Sequence, residues 1–225
     1  MKKNYCLPII RNKKSEVLEV VHTNITGYSY FEVWLDYIDD VDEMFIKQLM
    51  VLKEKLILLF RRQNLEKAKM GSTKKIKFIS LLEGSQSFID LDIFDQKEEL
   101  EYIKNKKLNI KKIVSYHNYK KTVENNTLKK IVDTMNTYKP SIYKIATMCT
   151  EQMDALRLLR LLLQFKKRNL KYIVLGMGEF GIITRIFGSL WGNEMIFAPR
   201  QDNEQSAPGQ LTKDQLEVIF NILKY

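Results

Sequence analysis

The chain has 225 residues, of which 45% are hydrophobic, and a formal net charge of +10. This length and apolar content suit one sizeable core, within the range of a single α/β barrel domain. Lysine and arginine are spread along the whole chain instead of gathering on one face or tail, which argues against a nucleic-acid-binding protein. The excess charge therefore predicts solvated helix and loop surface.

The cysteine content and the apolar runs bear on the compartment. Two cysteines, Cys6 and Cys149, show neither CxxC spacing nor a metal pattern, which argues against a disulfide framework. The apolar run near the N-terminus is too short for a signal peptide. No stretch reaches the ~20 apolar residues of a membrane helix. We therefore expect a cytoplasmic protein without a membrane partner.

Strand-like and helix-like stretches alternate along the chain. Short apolar runs, several of them rich in β-branched residues, predict eight strands. These strands cover residues 5–10, 28–36, 55–61, 88–93, 109–116, 142–147, 171–176 and 195–197. Helical patterns follow them at 14–22, 41–53, 74–82, 96–106, 121–138, 151–167, after Gly178, and at 212–223. In the last helix Thr212 and Gln215 predict a capping box.

Eight such units predict an α/β fold, a (β/α)8 TIM barrel, as one domain over residues 1–225. An open doubly wound sheet is the alternative. In a barrel the active site lies at the carboxyl ends of the strands, so polar residues there are candidates for chemistry. These candidates are Glu32, Asp36, Arg61, Arg62, Asp90, Asp92, His117, Lys144, Arg185, Ser206 and Gln210.

Lys144 is the most informative of these residues. It lies in the apolar run 141–148, which predicts a buried strand. Burial disfavours the ammonium form and can lower the pKa of a lysine by roughly 3–5 units. A lysine that is neutral near pH 7 is a nucleophile that can form a Schiff base with a ketone. The alternatives are that Lys144 reaches water from the strand end or pairs with an acid.

His117 directly follows the predicted strand 109–116. A histidine at a strand end is a candidate general acid and base, because its pKa lies near the working pH. A hydrogen-bonded structural histidine is the alternative. His117 and Lys144 would lie on adjacent strands of the barrel. A proton shuttle next to a Schiff-base lysine suits proton abstraction beside a ketone.

Two features near the C-terminus are candidates for ligand binding. Arg185 follows a glycine-containing turn, and a guanidinium is a natural partner for a carboxylate, although a solvated helix arginine is the alternative. The segment Ser206-Ala207-Pro208-Gly209-Gln210 is polar and turn-forming and precedes a helix. Its alternative is a plain loop.

Together these stretches resemble the type I 3-dehydroquinate dehydratases, the Schiff-base (β/α)8 enzymes of the shikimate pathway, which leads to chorismate and the aromatic amino acids. The motifs occur in the family's order over nearly the whole chain. Lys144-Ile145-Ala146 matches the Schiff-base motif, and residues 115–119 match the motif of the catalytic histidine. The resemblance implies the substrate positions Glu32, Arg62, Met177, Arg185, Ser206 and Gln210, and places Glu66 four residues after Arg62.

The chain also departs from the family pattern. Trp34 replaces a substrate-side arginine, so it is included among the substrate-binding residues. Lys67-Ala68 replaces two glycines, and Asp92 stands where glutamate is usual. Arg61 competes with Arg62 for the family's arginine on the third strand, since a one-residue slip reverses the facing. The spacing to Glu66 favours Arg62.

The resemblance implies a hydro-lyase that converts 3-dehydroquinate to 3-dehydroshikimate and water through a Schiff base on Lys144. It implies that His117 moves the protons and that Glu66, or Asp90 if the third strand slips, orients it. It also implies a homodimer and neither metal nor organic cofactor. Two alternatives stay open: an aldolase-type Schiff-base enzyme, and a degenerate barrel that binds a small carboxylate without turnover. Trp34 and Lys67-Ala68 favour the second.

Overall fold

The computed structural model describes residues 3–224. Within these residues eight strands and eight α-helices alternate, with short 3-10 turns between some of them. The strands are β1 (Tyr5–Ile9), β2 (Tyr30–Trp34), β3 (Leu56–Leu59), β4 (Phe88–Asp92), β5 (Lys111–Asn118), β6 (Ile142–Met148), β7 (Tyr172–Met177) and β8 (Ile196–Phe197). The helices are α1 (Lys14–Asn24), α2 (Glu43–Leu49), α3 (Ser72–Leu81), α4 (Lys97–Asn105), α5 (Asn125–Asn136), α6 (Gln152–Lys167), α7 (Ile182–Trp191) and α8 (Lys213–Ile222).

The strands pair in parallel in the order β7-β6-β5-β4-β3-β2-β1-β8. The ring closes just before β8, where the backbone N–H of Glu194 donates to the carbonyl of Tyr172 at 2.9 Å. The side chain of Asn193 completes the seam by bonding the N–H and the carbonyl of Val174. A closed parallel ring with helices outside is the predicted (β/α)8 barrel, so the open-sheet alternative is wrong.

The strands are apolar on both faces because both faces are buried. β3, with the sequence Leu-Ile-Leu-Leu, is buried along its whole length. One apolar cluster lies between the strands and the helices, and a smaller one fills the barrel interior. Cys6, Ile57, Ile113, Ile142 and Ile173 form the core of the inner cluster. These apolar side chains fill the lower part of the barrel interior, and the polar ends of the strands converge above them.

Strand alternation decides which residues point into the barrel. Ile113 belongs to the inner cluster, so Ser115 and His117 point inward as well. By the same alternation, Ile142 and Lys144 both point inward on β6, and Lys144 is the register partner of Ser115. His117 lies inside β5, not after it, because the strand runs two residues beyond the predicted end.

Helix α8 begins as predicted. The Thr212 hydroxyl accepts from the backbone N–H of Gln215, and the Gln215 side chain accepts from the N–H of Thr212, so the capping box is present. None of the helices within residues 3–224 is long and apolar enough to cross a membrane.

Candidate active site

Lys144 lies at the centre of an ionic cluster inside the barrel. Its Nζ donates to Asp90 Oδ2 at 2.7 Å and to Glu32 Oε1 at 3.0 Å. It also lies 4.5 Å from the centre of the Phe197 ring. All three charged side chains are buried. The amine therefore faces two carboxylates, one from β2 and one from β4.

These carboxylates overturn the expectation of a lowered lysine pKa. Burial alone lowers the pKa of Lys144, but Asp90 and Glu32 outweigh it and raise the pKa above its ordinary value. The pKa of Asp90 is lowered in return, because Lys144 and Arg61 outweigh the effect of burial. Of the alternatives that the sequence left open, pairing with an acid is the one found. In the free protein Lys144 is an ammonium.

His117 is held in one tautomer by two charged neighbours. Its Nδ1 lies 3.0 Å from Asp92 Oδ2, and its Nε2 lies 3.3 Å from Nη1 of Arg61. A guanidinium can only donate, so Nε2 accepts and Nδ1 carries the hydrogen. Burial and the nearby Arg61 lower the pKa of His117 to about 4, against the opposing effect of Asp92. The neutral ring therefore presents Nε2 as a base.

Arg61 ties the lysine and the histidine together. Its Nη2 donates to Asp90 Oδ1 at 3.2 Å and to Ser115 Oγ at 3.0 Å. Ser115 in turn donates to Asp90 Oδ1. Asp90 thus contacts Lys144 with one oxygen and Arg61 with the other. One hydrogen-bonded network joins strands β2, β4, β5 and β6 with Arg61, the second residue after β3.

Two of the predicted site residues lie outside this network. Arg62 lies over the Tyr37 ring, 4.6 Å from its centre, and pairs with Glu66 at 3.3 Å on a loop. Glu66 is exposed and does not contact His117. Asp92 holds the ring, and neither Glu66 nor Asp90 does. Arg61 points inward because Ile57 does, and two-residue alternation leads from Ile57 to Arg61.

Within residues 3–224, Arg185 is a buried cation without an acidic partner. Its Nη2 donates to the carbonyl of Pro208 at 3.2 Å, and its Nε has no hydrogen-bond partner among the described residues. Burial lowers its pKa to about 10, which still leaves the guanidinium charged at neutral pH. An uncompensated buried guanidinium is a site for a ligand carboxylate.

The segment 206–210 closes over the cavity as a tight turn. The Gln210 side chain accepts from the backbone N–H of Ser206 and donates to its hydroxyl, both at 2.8 Å. Gly209 has φ +77, and a Cβ there would lie 2.5 Å from the carbonyl oxygen of Gly178. The glycine therefore lets the segment dock on the end of β7. Ser206 and Gln210 are both buried against the site.

The cavity among these side chains measures about 30 Å³. Its lining brings together most of the predicted residues, includes Arg61, the alternative to Arg62, and adds Tyr119, Ala146, Leu175, Phe197 and Ala207. The predicted residues that line it are Glu32, Trp34, His117, Lys144, Met177, Arg185, Ser206 and Gln210. Residues 3–224 contain no group of His, Cys, Asp or Glu side chains that could hold a metal ion.

Comparison with known proteins decides the family. Residues 5–225 match the sequence model of the family described as type I 3-dehydroquinase. The chain belongs to the type I 3-dehydroquinase family. The 3-dehydroquinate dehydratase of Methanococcus vannielii is 29% identical over 224 residues, which cover 97% of this chain and 99% of that protein. That of Coxiella burnetii (strain CbuK_Q154) is 29% identical over 207 residues, which cover 92% and 87%.

Solved structures of this family share the fold. The 3-dehydroquinate dehydratase of Geobacillus kaustophilus HTA426 superposes with a TM-score of 0.83 at 19% identity, covering 100% of this chain and 92% of that one. The Clostridium difficile type I enzyme with covalently modified comenic acid gives 0.80 at 23%, covering 99% and 92%. The predicted family, hydro-lyase class and barrel are confirmed.

The departures from the family pattern lie in different places. Trp34 is buried in the cavity wall, and its indole N–H donates to Glu32 Oε2 at 2.9 Å. Lys67 and Ala68 lie on the loop after β3 and do not line the cavity. Asp92 and the predicted candidate Asp36 are both buried, but neither lines the cavity. Only Trp34 therefore changes the wall that a ligand of this type I 3-dehydroquinase would meet.

Proposed function

We propose that this protein is a 3-dehydroquinate dehydratase that removes water from its substrate through a Schiff base on Lys144. The observation that carries the proposal is the placement of the Lys144 amine and the His117 ring on adjacent strands of one cavity, with the unpaired Arg185 in its wall. An amine, a proton carrier and a carboxylate partner are the three groups that this reaction needs.

The charged state of Lys144 suits an iminium. Condensation of a ketone with an ammonium gives an iminium and one water, and both nitrogen species carry a single positive charge. Glu32 and Asp90, which favour the ammonium, therefore also stabilise the iminium. Attack itself needs the neutral amine for a short time, and either carboxylate can accept the proton from Nζ.

His117 then moves the protons. Its Nε2 removes the proton on the carbon next to the iminium, whose nitrogen accepts the electron pair. The same ring then protonates the departing hydroxyl, and hydrolysis of the conjugated iminium frees the enone and Lys144. Arg61 occupies Nε2 in the free protein, so substrate must displace its Nη1 before His117 can act. We propose that Arg61, released in this way, binds a ring hydroxyl.

Arg185 binds the substrate carboxylate in this proposal, with Ser206 and Gln210 closing over it and Met177 packing on the ring. Trp34 leaves the ionic cluster around Lys144 intact, because its indole N–H donates to Glu32 and does not displace this carboxylate. The intact cluster supports turnover over the binding-only alternative. Arg185, which has no acidic partner among the described residues, is suited to bind a substrate carboxylate. This supports the dehydratase over an aldolase.

The reaction can be tested by its product. Adding 3-dehydroquinate to the protein is expected to produce the ultraviolet absorbance of a conjugated enone, whereas aldol donors are expected to give no carbon–carbon cleavage. Binding of 3-dehydroquinate without enone would favour the degenerate barrel, and reaction of aldol donors would favour the aldolase.

Arg185→Met is expected to raise KM for 3-dehydroquinate by roughly 10- to 100-fold, because hydrogen bonds to charged groups contribute about 1.5–3 kcal/mol. Steady-state kinetics measure the change. Arg168→Met, at an exposed arginine that ends α6, is the matched control and is expected to leave KM unchanged. An unchanged KM in Arg185→Met would remove this residue from the carboxylate site.

We also propose that the protein is a cytoplasmic homodimer without a nucleic-acid partner. Exposed apolar side chains of α6 share one helix face, since Met153, Leu156 and Leu163 are spaced by three and seven residues. Ile183 on α7, the helix next to α6, is also exposed. A second copy of the chain would cover these side chains.

Leu156→Asp is expected to weaken the dimer by tenfold or more, since it would bury a carboxylate in an apolar contact. Light scattering over a dilution series measures the mass. Met44→Asp changes an exposed apolar residue on α2 and is expected to leave the dimer intact. A monomeric wild type, or a dimer insensitive to Leu156→Asp, would contradict this interface.

A further inference from the structure

Trp34 connects to the reactive lysine through one carboxylate. The side chain is 4% exposed, and its indole Nε1 donates to Glu32 Oε2 at 2.9 Å. The other oxygen of Glu32 accepts from Lys144 Nζ at 3.0 Å. Trp34 is in edge-to-face contact with Tyr37, with ring centres 6.1 Å apart. The orientation of the indole is thereby fixed.

The two carboxylates beside Lys144 do not have the same number of donors. Asp90 also accepts from Arg61 and Ser115. Among the described residues, Glu32 has one donor besides Lys144, and this donor is Trp34. Glu32 is 2% exposed, so water does not readily replace a lost partner.

Schiff-base formation changes this distribution of donors. An ammonium has three N–H groups and can serve Asp90 and Glu32 together. A protonated imine keeps one N–H, so at most one of the two carboxylates retains a good hydrogen bond to nitrogen. Asp90 has other donors for this state, whereas Glu32 depends on Trp34. A buried carboxylate without a donor is strongly unfavourable, so the indole N–H favours the iminium.

We propose that Trp34 is a positioning residue that acts through Glu32, holding its carboxylate beside the nitrogen of Lys144 while the iminium exists. The inference rests on the proposed Schiff-base function. It assigns to Trp34 a role in the covalent step and not merely a place in the cavity wall. Its loss should therefore lower kcat and the amount of iminium more than it changes KM.

The test compares the two tryptophans of the chain. Trp34→Phe keeps an aromatic ring and removes the N–H, and it is expected to lower kcat and the fraction of protein trapped by borohydride by roughly 10- to 100-fold. Trp191→Phe, at the end of α7 and outside the cavity lining, is the control and should change neither. Trp34→Arg restores donors toward Glu32 and is expected to recover most of the trapped adduct, which a role in packing alone would not predict.

A double-mutant cycle separates action through Glu32 from a general effect. In a Glu32→Gln background, Trp34→Phe should have little further effect on the trapped fraction. A second measurement avoids changing Trp34. In Trp191→Phe protein labelled with ¹⁵N-tryptophan, the single indole signal belongs to Trp34, and Glu32→Gln should shift it.

The outcomes distinguish this inference from the proposed function. If wild-type protein gives neither enone nor adduct, the proposed function fails. If wild type is active and Trp34→Phe behaves like wild type, a substrate hydroxyl or another donor suffices for Glu32 and the inference alone is overturned. An effect of Trp34→Phe that persists undiminished in Glu32→Gln would also overturn it.

Discussion

Replacing Lys144 by arginine is expected to abolish borohydride trapping and to lower turnover of 3-dehydroquinate by about 10⁴-fold or more. Arginine keeps the positive charge that Glu32 and Asp90 face, but its guanidinium does not form a Schiff base with a ketone. The loss would therefore report the missing nucleophile and not a missing charge. Enone absorbance and the mass of the reduced protein measure it.

Two controls accompany this variant. Lys144→Met leaves two carboxylates buried without their cation, so it is expected to destabilise the fold by about 3–5 kcal/mol, while Lys144→Arg keeps the pairing. Lys75, a buried lysine that pairs with Glu99 at 3.3 Å outside the cavity lining, provides the matched reactivity control. Lys75→Arg should still trap the substrate. Normal trapping by Lys144→Arg would move the Schiff base to another lysine.

His117→Asn is expected to lower turnover by about 10²- to 10⁴-fold, the usual contribution of a general acid or base. The Lys144 amine remains, so the variant should still form an iminium and be trapped by borohydride. Adduct without enone would place His117 in proton transfer. His22→Asn changes the other histidine of the chain, which is exposed, and should leave both readouts unchanged.

The pH dependence follows from the same site. Burial and Arg61 lower the pKa of His117 to about 4, so its neutral base form persists below pH 6. The acid limb of kcat/KM, which reports the free enzyme, is therefore expected to fall as the pH drops through about 4 instead of near the ordinary value of 6.5. An acid limb of kcat/KM with its midpoint near pH 6.5 would mean that His117 is not held by Arg61 as described.

Much of the fold could be predicted because the sequence encodes it locally. The eight apolar runs are short and bounded by turn residues, and amphipathic helices follow them, which is the pattern of a closed parallel barrel. Lys144 could be found because a charged residue in a buried strand is uncommon, and His117 because it is a titratable residue at the end of a predicted strand. Arg185 and Gln210 could be listed as candidates near the strand ends, but only the resemblance favoured a substrate-binding role over a solvated helix arginine and a plain loop.

The charge state of Lys144 could not be predicted from its own strand. Its carboxylate partners, Glu32 and Asp90, are 112 and 54 residues away in sequence and meet the amine only when the barrel closes. The burial of Lys144 could therefore be predicted from the sequence, whereas its pairing with Glu32 and Asp90 could not. The sign of the pKa shift depends on the pairing.

The placement of Arg61, and not Arg62, in the cavity lining could have been predicted from strand alternation. Outward and inward residues alternate along β3, and Ile57 belongs to the inner cluster, so Arg61 follows it inward. The same alternation leads from Asp90 to Asp92, which makes Asp92 the carboxylate nearest to His117. The spacing of the motif favoured Arg62 and Glu66, because spacing alone does not show which side of a strand a residue faces.

The Schiff base on Lys144 is tested most directly by incubating the wild-type protein with 3-dehydroquinate, reducing with borohydride and mapping the adduct by peptide mass. We expect a reduced adduct on the peptide that contains Lys144, together with enone formation before reduction. An adduct on a different lysine, or enone formation without any adduct, would contradict the central role of Lys144.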